Sequence, residues 1–286
     1  MHARAPIVPV LVALLLLAVL SGCGSGDEPR GEDAPSRSGI GTLFEAQQRG
    51  EIRIGVKFDQ PPFGYVAEEG EGPVGFEVDL GRAIAKKLDV EPQFVRVTTG
   101  DRVEMLQSGE VDLVIATMTH TRARDEIIDF SVTYFRDGQR ILVPAGSEIE
   151  SVEDLAGRTV ATAGGSTSEV NIRRKAPEAE VLTYETHRKA LDALLRGEAE
   201  AVTTDGAILM GLKEIAEEEG AAVKIVGGPF SDEPYGIGVR QNDSALRDAV
   251  NFALMELVEE GRYEEIYREW FEGEEPFTPE VWPAGS

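Results

Sequence analysis

Apolar positions along the chain fall into two successive series of short elements. Residues 51–57 (EIRIGVK) alternate apolar with polar and predict a strand. Residues 76–88 carry Phe76, Leu80, Ala83, Ile84 and Leu88 at helical spacing, the mark of an amphipathic helix. Residues 92–97, 111–116 and 139–143 predict further strands, and residues 101–107 a short helix stopped by Ser108-Gly109. The second series repeats this rhythm. Strands are expected at 158–163, 181–184, 199–203 and 235–240, and helices at 151–155, 187–195, 206–215, 244–259 and 262–271. Alternation of strand and helix predicts α/β lobes with mostly parallel sheets. Two such series imply two lobes with a cleft between them, a usual place for a small-molecule site.

The N-terminus follows another pattern. Residues 7–20 are almost wholly apolar, shorter than the run of about 20 that spans a bilayer but suited to a signal-peptide core. The run ends Leu20-Ser21-Gly22-Cys23, and Cys23 is the only cysteine, so it has no disulfide partner within the chain. Residues 24–39 (GSGDEPRGEDAPSRSG) hold too little apolar surface to offset their ordering entropy and read as a flexible tether.

Charge narrows the function classes. Acidic residues outnumber basic ones 52 to 28, giving a formal net charge of −24. That excludes broad binding to nucleic acid, whose phosphates need clustered Lys and Arg. An anionic ligand would need a local group of cations. No GxxxxGK[ST], HExxH or GxSxG motif occurs, and with three histidines and one cysteine the chain is poor in metal and thiol chemistry. No cofactor is expected.

Five segments carry a likeness to a known family: GVKFDQPPFG at 55–64, GPVGFEVDLGRAIAKKL at 72–88, LQSGEVDLVIATMTHTRARDEIIDFSVTYF at 106–135, VEDLAGRTVATAGGSTSEV at 152–170 and EPYGIGVR at 233–240. Their order and spacing resemble the family 3 solute-binding proteins, the polar-amino-acid receptors of bacterial ABC transporters. The likeness covers about residues 42–271 and looks strongest to glutamate-binding members, through KFDQP at 57–61 and TTDGAIL at 203–209.

The resemblance implies the two-lobed type II periplasmic-binding-protein fold. One lobe would comprise residues 42–142 and 236–274 and the other 143–235. A lipoprotein signal peptide (1–22), a tether (23–41) and a C-terminal tail (275–286) would flank them. It also implies a monomer that delivers its ligand to a separate membrane permease and acts without catalysis, while the Leu20-Ser21-Gly22-Cys23 ending, which resembles a bacterial lipobox, implies a lipid anchor on Cys23 outside the cell membrane.

The same resemblance assigns site roles. Arg124, five residues after Thr119, would fork onto the ligand's α-carboxylate, with Thr117 lining the site. Asp205 would pair with the α-ammonium; by residue type alone it is equally a helix N-cap. Thr167, in the glycine-rich turn before a helix, would hold the α-carboxylate from the second lobe. Phe63 would cover the ligand's aliphatic part. Relatives often place a second aromatic where this chain reads Val97-Thr98-Thr99-Gly100, which argues against large side chains. Lys57, Arg102 and His187 would read a side-chain carboxylate, so glutamate is the favoured ligand, then aspartate. Glutamine or another polar amino acid is the alternative. A cyclohexadienyl-dehydratase-like enzyme is a further reading, although no surplus carboxylate beyond Asp205 stands near the motifs to serve it.

Overall fold

The computed structural model describes residues 41–279. The signal segment, Cys23, the tether and the last seven residues of the expected tail lie outside the described residues. Among those described, no helix is long and apolar enough to cross a membrane.

Two five-stranded sheets form the cores of two lobes. The first runs Glu91–Arg96, Glu51–Val56, Leu113–Val114, Glu233–Arg240, Ile128–Asp137. The second runs Val223–Val226, Gln139–Pro144, Ala201–Asp205, Thr159–Ala163, Glu180–Tyr184. In each sheet a single strand opposes the other four: Glu233–Arg240 in the first and Gln139–Pro144 in the second. These two strands are the ones the chain enters on crossing between lobes. The mostly parallel sheets expected from the sequence are therefore present, and each exception marks a crossover.

The helix Phe76–Lys87 shows how patterning becomes packing. Phe76, Leu80 and Ile84 recur on one face and are fully buried. They meet Ile52 and Ile54 of the neighbouring strand in one continuous core. Phe76 also joins an aromatic cluster with Phe63, Tyr134, Phe135, Tyr267 and Phe271. The helix Arg262–Trp270 supplies Tyr267 to this cluster and so closes the first lobe. Thr42–Arg49 forms a helix where the sequence suggested only the start of the fold. The ten-residue strand Ile128–Asp137 was not foreseen, because its buried positions do not alternate and its pairing with Glu233–Arg240 shifts register twice.

The crossings lie side by side. The first sheet ends at Asp137 and the second begins at Gln139, so the chain changes lobe at Gly138 rather than after residue 142. The return runs between Val226 and Glu233, ahead of the expected boundary at 235. Glu233 pairs with Asp137, and the Phe230 N–H donates to the Gln139 carbonyl at 3.0 Å. A Cβ on Gly138 would stand 2.6 Å from both Pro229 Cβ and the Ser231 carbonyl oxygen, so only glycine lets the two crossing segments approach this closely.

Candidate functional site

The functional side chains stand where strands of both sheets end at the interlobe cleft. This follows from the parallel strands, whose carboxyl ends open onto one edge of each lobe. Thr117 and Thr119 follow the strand Leu113–Val114, Asp205 ends Ala201–Asp205, and Thr167 follows Thr159–Ala163.

At one end of the cleft the Arg124 guanidinium bridges the lobes. It donates to the Thr119 carbonyl at 2.8 Å and to the Gly165 carbonyl at 3.2 Å. The nearby Thr119 and Thr167 hydroxyls both donate to Oε2 of Glu233, at 2.7 and 2.8 Å. A cavity of about 540 Å³ opens here between Arg124, Thr119, Thr167, Asn171 and Glu233.

Asp205 precedes the helix Gly206–Glu218 but makes no capping bond. The helix start is served instead by Asp137, whose Oδ2 accepts from the Ala207 N–H at 2.8 Å. Asp205 is thereby free of the capping role that its position suggested. It accepts from the Tyr235 hydroxyl through Oδ2, and its Oδ1 is buried with no protein partner. Burial pushes its carboxyl well above the usual range, with the negative charges of Glu233 and Asp137 adding to the effect.

The other end holds two buried cations. Lys57 is 2% exposed and donates to the Thr99 hydroxyl at 2.7 Å. Burial, and then the charge of Arg102, lower its pKa to about 7. Arg102, also buried, donates to the carbonyls of Ala116 and Thr117. Its own pKa falls to about 9, chiefly through desolvation. Thr117 adopts a left-handed conformation at φ 45°, rare for a threonine. Both sides of its residue are held: the Thr117 N–H donates to Glu77 Oε1 at 2.6 Å while its carbonyl accepts from Arg102 at 3.1 Å. Burial raises the Glu77 carboxyl to about 7. Glu77 Oε2 and Arg102 Nε are buried without protein partners, so each of the two side chains bonded to the Thr117 backbone keeps one unused atom.

His187 crosses from the second lobe to this end. Its Nδ1 lies 3.1 Å from Gln60 Oε1 and its Nε2 lies 3.0 Å from the Thr204 hydroxyl. Gln60 Nε2 donates to Thr117 Oγ1 at 2.8 Å, which leaves Gln60 Oε1 to accept from a protonated Nδ1. Burial lowers the histidine pKa to about 3, helped by Lys57 and Arg102, so the ring is neutral at pH 7.

Phe63 is not on the cleft wall. Its fully buried ring packs against Phe135 at 5.1 Å, Phe271 at 5.5 Å and Tyr235 at 5.8 Å. Its carbonyl accepts from the Glu77 N–H at 2.9 Å, which fixes the backbone so that the ring turns into the core. Gln60, three residues earlier, holds the cleft position instead.

These elements together form a two-lobed clamp with charged groups of both signs between the lobes. Residues 52–273 match the bacterial extracellular solute-binding proteins, family 3. The chain belongs to this family. Among curated family members, it is 40% identical over 264 residues to the ABC transporter glutamine-binding protein GlnH of Bacillus subtilis (strain 168), covering 91% of this chain and 94% of that one. It is 32% identical to an L-glutamate/L-aspartate-binding protein of Pseudomonas aeruginosa, covering 81% and 80%. Among solved structures, an ancestral arginine-binding protein bound to glutamine superposes with a TM-score of 0.74 at 42% identity, covering 78% and 98%.

Within this family frame the structure adds site residues that the sequence did not reveal. Gln60, Glu77, Thr99, Gln139 and Glu233 are all buried polar groups at or behind the cleft. Glu77 and Glu233 stand inside segments that carried the family likeness, but a lone carboxylate gives no sign in the sequence that it is buried. The turn at Ser166 is fastened by two reciprocal bonds. Ser166 Oγ accepts from the Glu169 N–H at 3.0 Å, but Glu169 reaches back to the Gly165 N–H, at 3.1 Å, rather than to that of Ser166.

Proposed function

We propose that this protein is the extracytoplasmic receptor of an ABC importer and captures L-glutamine by closing its lobes. The observation that carries the choice of ligand is that the two side chains bonded to the Thr117 backbone each keep an unpartnered buried atom, a donor at Arg102 Nε and an acceptor at Glu77 Oε2. A primary amide offers both an acceptor and donors, whereas a carboxylate offers acceptors only. The 40% identity to a protein named for glutamine supports the same reading. Arg124 is placed to fork onto the ligand's α-carboxylate, and Asp205 to take its α-ammonium.

Glutamate, favoured by the sequence, becomes the second reading. One of the three basic groups behind it is already committed and a second is partly used. His187 is neutral and bonded to Gln60 and Thr204, and Arg102 spends Nη1 on two backbone carbonyls while its Nε stays unpartnered. Lys57 remains as the specific observation in its favour. Its amine can keep its proton beside a carboxylate or release it beside an amide, since its pKa lies near 7. Arginine is disfavoured, because its guanidinium would enter beside Lys57 and Arg102.

The remaining features follow as parts of the same proposal. Residues 1–22 act as a lipoprotein signal and Cys23 carries the lipid. The protein works as a monomer and releases its ligand unchanged to the permease. Calorimetric titration with glutamine, glutamate, aspartate and arginine tests the ligand. Glutamine should bind at least tenfold tighter than glutamate at pH 8, and arginine weakest. A tenfold preference for glutamate would replace the first reading by the second. Chemical conversion of glutamine during prolonged incubation would contradict the receptor reading itself.

A further inference from the structure

Glu233 opens the strand that returns the chain to the first lobe, and it is 1% exposed. Its carboxylate gathers donors from both lobes and from the crossing strand. Oε2 accepts from Thr119 at 2.7 Å and from Thr167 at 2.8 Å. Oε1 accepts from Gln139 Nε2 at 2.8 Å and from Asn171 Nδ2 at 3.0 Å. A hydroxyl carries one proton and two lone pairs. With their protons aimed at Glu233, Thr119 and Thr167 have only lone pairs to offer the cleft. One lone pair of Thr167 already accepts from Gln139 Nε2 at 3.3 Å. Thr119 keeps its own for the cleft.

Asp205 supplies a second acceptor in the cleft. Thr119 pairs with Tyr235 in an antiparallel bridge, and the Tyr235 hydroxyl donates to Asp205 Oδ2, so both cleft residues are tied to Tyr235. Asp205 Oδ1 is the buried atom left without a partner. Acceptors of this kind match an ammonium group, which has three donors and no acceptor. They repel a carboxylate.

We infer that Glu233 is a positioning residue: it fixes the proton direction of the Thr119 and Thr167 hydroxyls and thereby makes the site select ligands that carry an α-ammonium group. This rests on the reading of the protein as an amino-acid receptor and revises one of its details. The Thr167 hydroxyl does not donate to the ligand's α-carboxylate. That group is left to Arg124 and to the first-turn N–H groups of the helix Thr167–Lys175, which have no intrahelical acceptor.

The test compares each amino acid with its des-amino analogue: L-glutamine with glutaramate, and L-glutamate with glutarate. Both pairs are titrated against the full chain and against Glu233→Gln, Thr119→Val and the double variant. An amide in place of the carboxylate must turn a donor toward either the two hydroxyls or the two amides, which breaks the present pattern. The wild type should prefer the amino form of whichever amino acid it binds by about 100-fold or more, on the order of two charge-assisted hydrogen bonds. Glu233→Gln should reduce that ratio about tenfold, and in the Thr119→Val background it should change the ratio little further. Equal weakening of both members of a pair would show a merely structural role and overturn the proposal. A wild type that binds amino and des-amino forms alike would overturn it too. Binding of glutamate but not glutamine would defeat only the choice of ligand, because the ratio concerns the α-amino group in both pairs.

Discussion

The two ends of the cleft are built on different plans. At the Arg124 end, groups from both lobes alternate around one place: Arg124 and Thr119 from the first, Gly165, Thr167 and Asp205 from the second, and Glu233 on the strand between them. At the Lys57 end, Lys57, Thr99, Arg102 and Glu77 all belong to the first lobe, and His187 is the visitor. The contrast separates two tasks. A group gripped from both sides stabilises the closed arrangement, because it contacts neither lobe fully until both have arrived. A group read from one side can set which side chain is accepted with little effect on closure.

Removing the guanidinium at the shared end should have the largest effect. Arg124→Ala should cost about 3–5 kcal/mol of affinity for every amino acid that binds, since it leaves a buried carboxylate unpaired. Calorimetry measures the loss, and the melting temperature without added ligand should hardly move. A loss confined to one ligand would break the separation of tasks.

Closure can also be obstructed away from both ends. Gly211, on the second-lobe helix Gly206–Glu218, faces Pro61 of the first lobe, and a Cβ there would collide with the Pro61 carbonyl oxygen. Gly211→Ala should leave each lobe folded but oppose their approach by about 1–3 kcal/mol, the usual range for overpacking. That is roughly a fivefold to 150-fold loss of affinity. Small-angle scattering should show the variant staying more open than the wild type at the same ligand concentration.

At the Lys57 end the effects should be on choice. Lys57→Met should shift the preference toward glutamine over glutamate by about tenfold, because it removes the one cation there without a committed anionic or carbonyl partner. Competition titration reads the ratio directly.

The smallest effect concerns pH. His187 has a pKa of about 3 in the closed arrangement, against an ordinary 6.5. Once the pH falls below 6.5 an open form binds the proton more readily than the closed one, so closure weakens progressively from 6.5 toward 3 and is at full strength above 6.5. Glu77 does not enter this balance: its hydrogen-bond partners, Thr117 and Tyr134, lie in the same lobe, so its raised carboxyl belongs to the folded lobe whether the cleft is open or closed. Wild-type affinity should therefore fall by about tenfold at most between pH 7.5 and 5.5, and His187→Asn should remove that fall. A steeper fall in the variant would reverse the assigned sign.

Much of this architecture could be read from periodicity, because strands and helices of ordinary length repeat twice. Residues at strand ends were legible for the same reason: Lys57, Thr117, Thr119 and Asp205 follow apolar runs, and the fold brings such ends to one cleft. Phe63 was misplaced because an aromatic beside two prolines fits a cleft loop as well as a core, and only the inward-facing aromatic cluster decides between them. Gln60 and Glu233 were missed for the opposite reason. Each acquires its role from partners more than sixty residues away, His187 for the first and Gln139, Asn171 and Thr119 for the second. No local pattern encodes such contacts.

The separation of tasks between the two ends is tested most directly by one set of titrations. Wild type, Arg124→Ala and Lys57→Met are each titrated with glutamine and with glutamate at pH 8. Arg124→Ala should weaken both ligands by the same factor, on the order of 100-fold or more, and leave their ratio unchanged. Lys57→Met should change the ratio while moving glutamine affinity by no more than a few-fold. The account is contradicted if Arg124→Ala alters the ratio and Lys57→Met weakens both ligands alike.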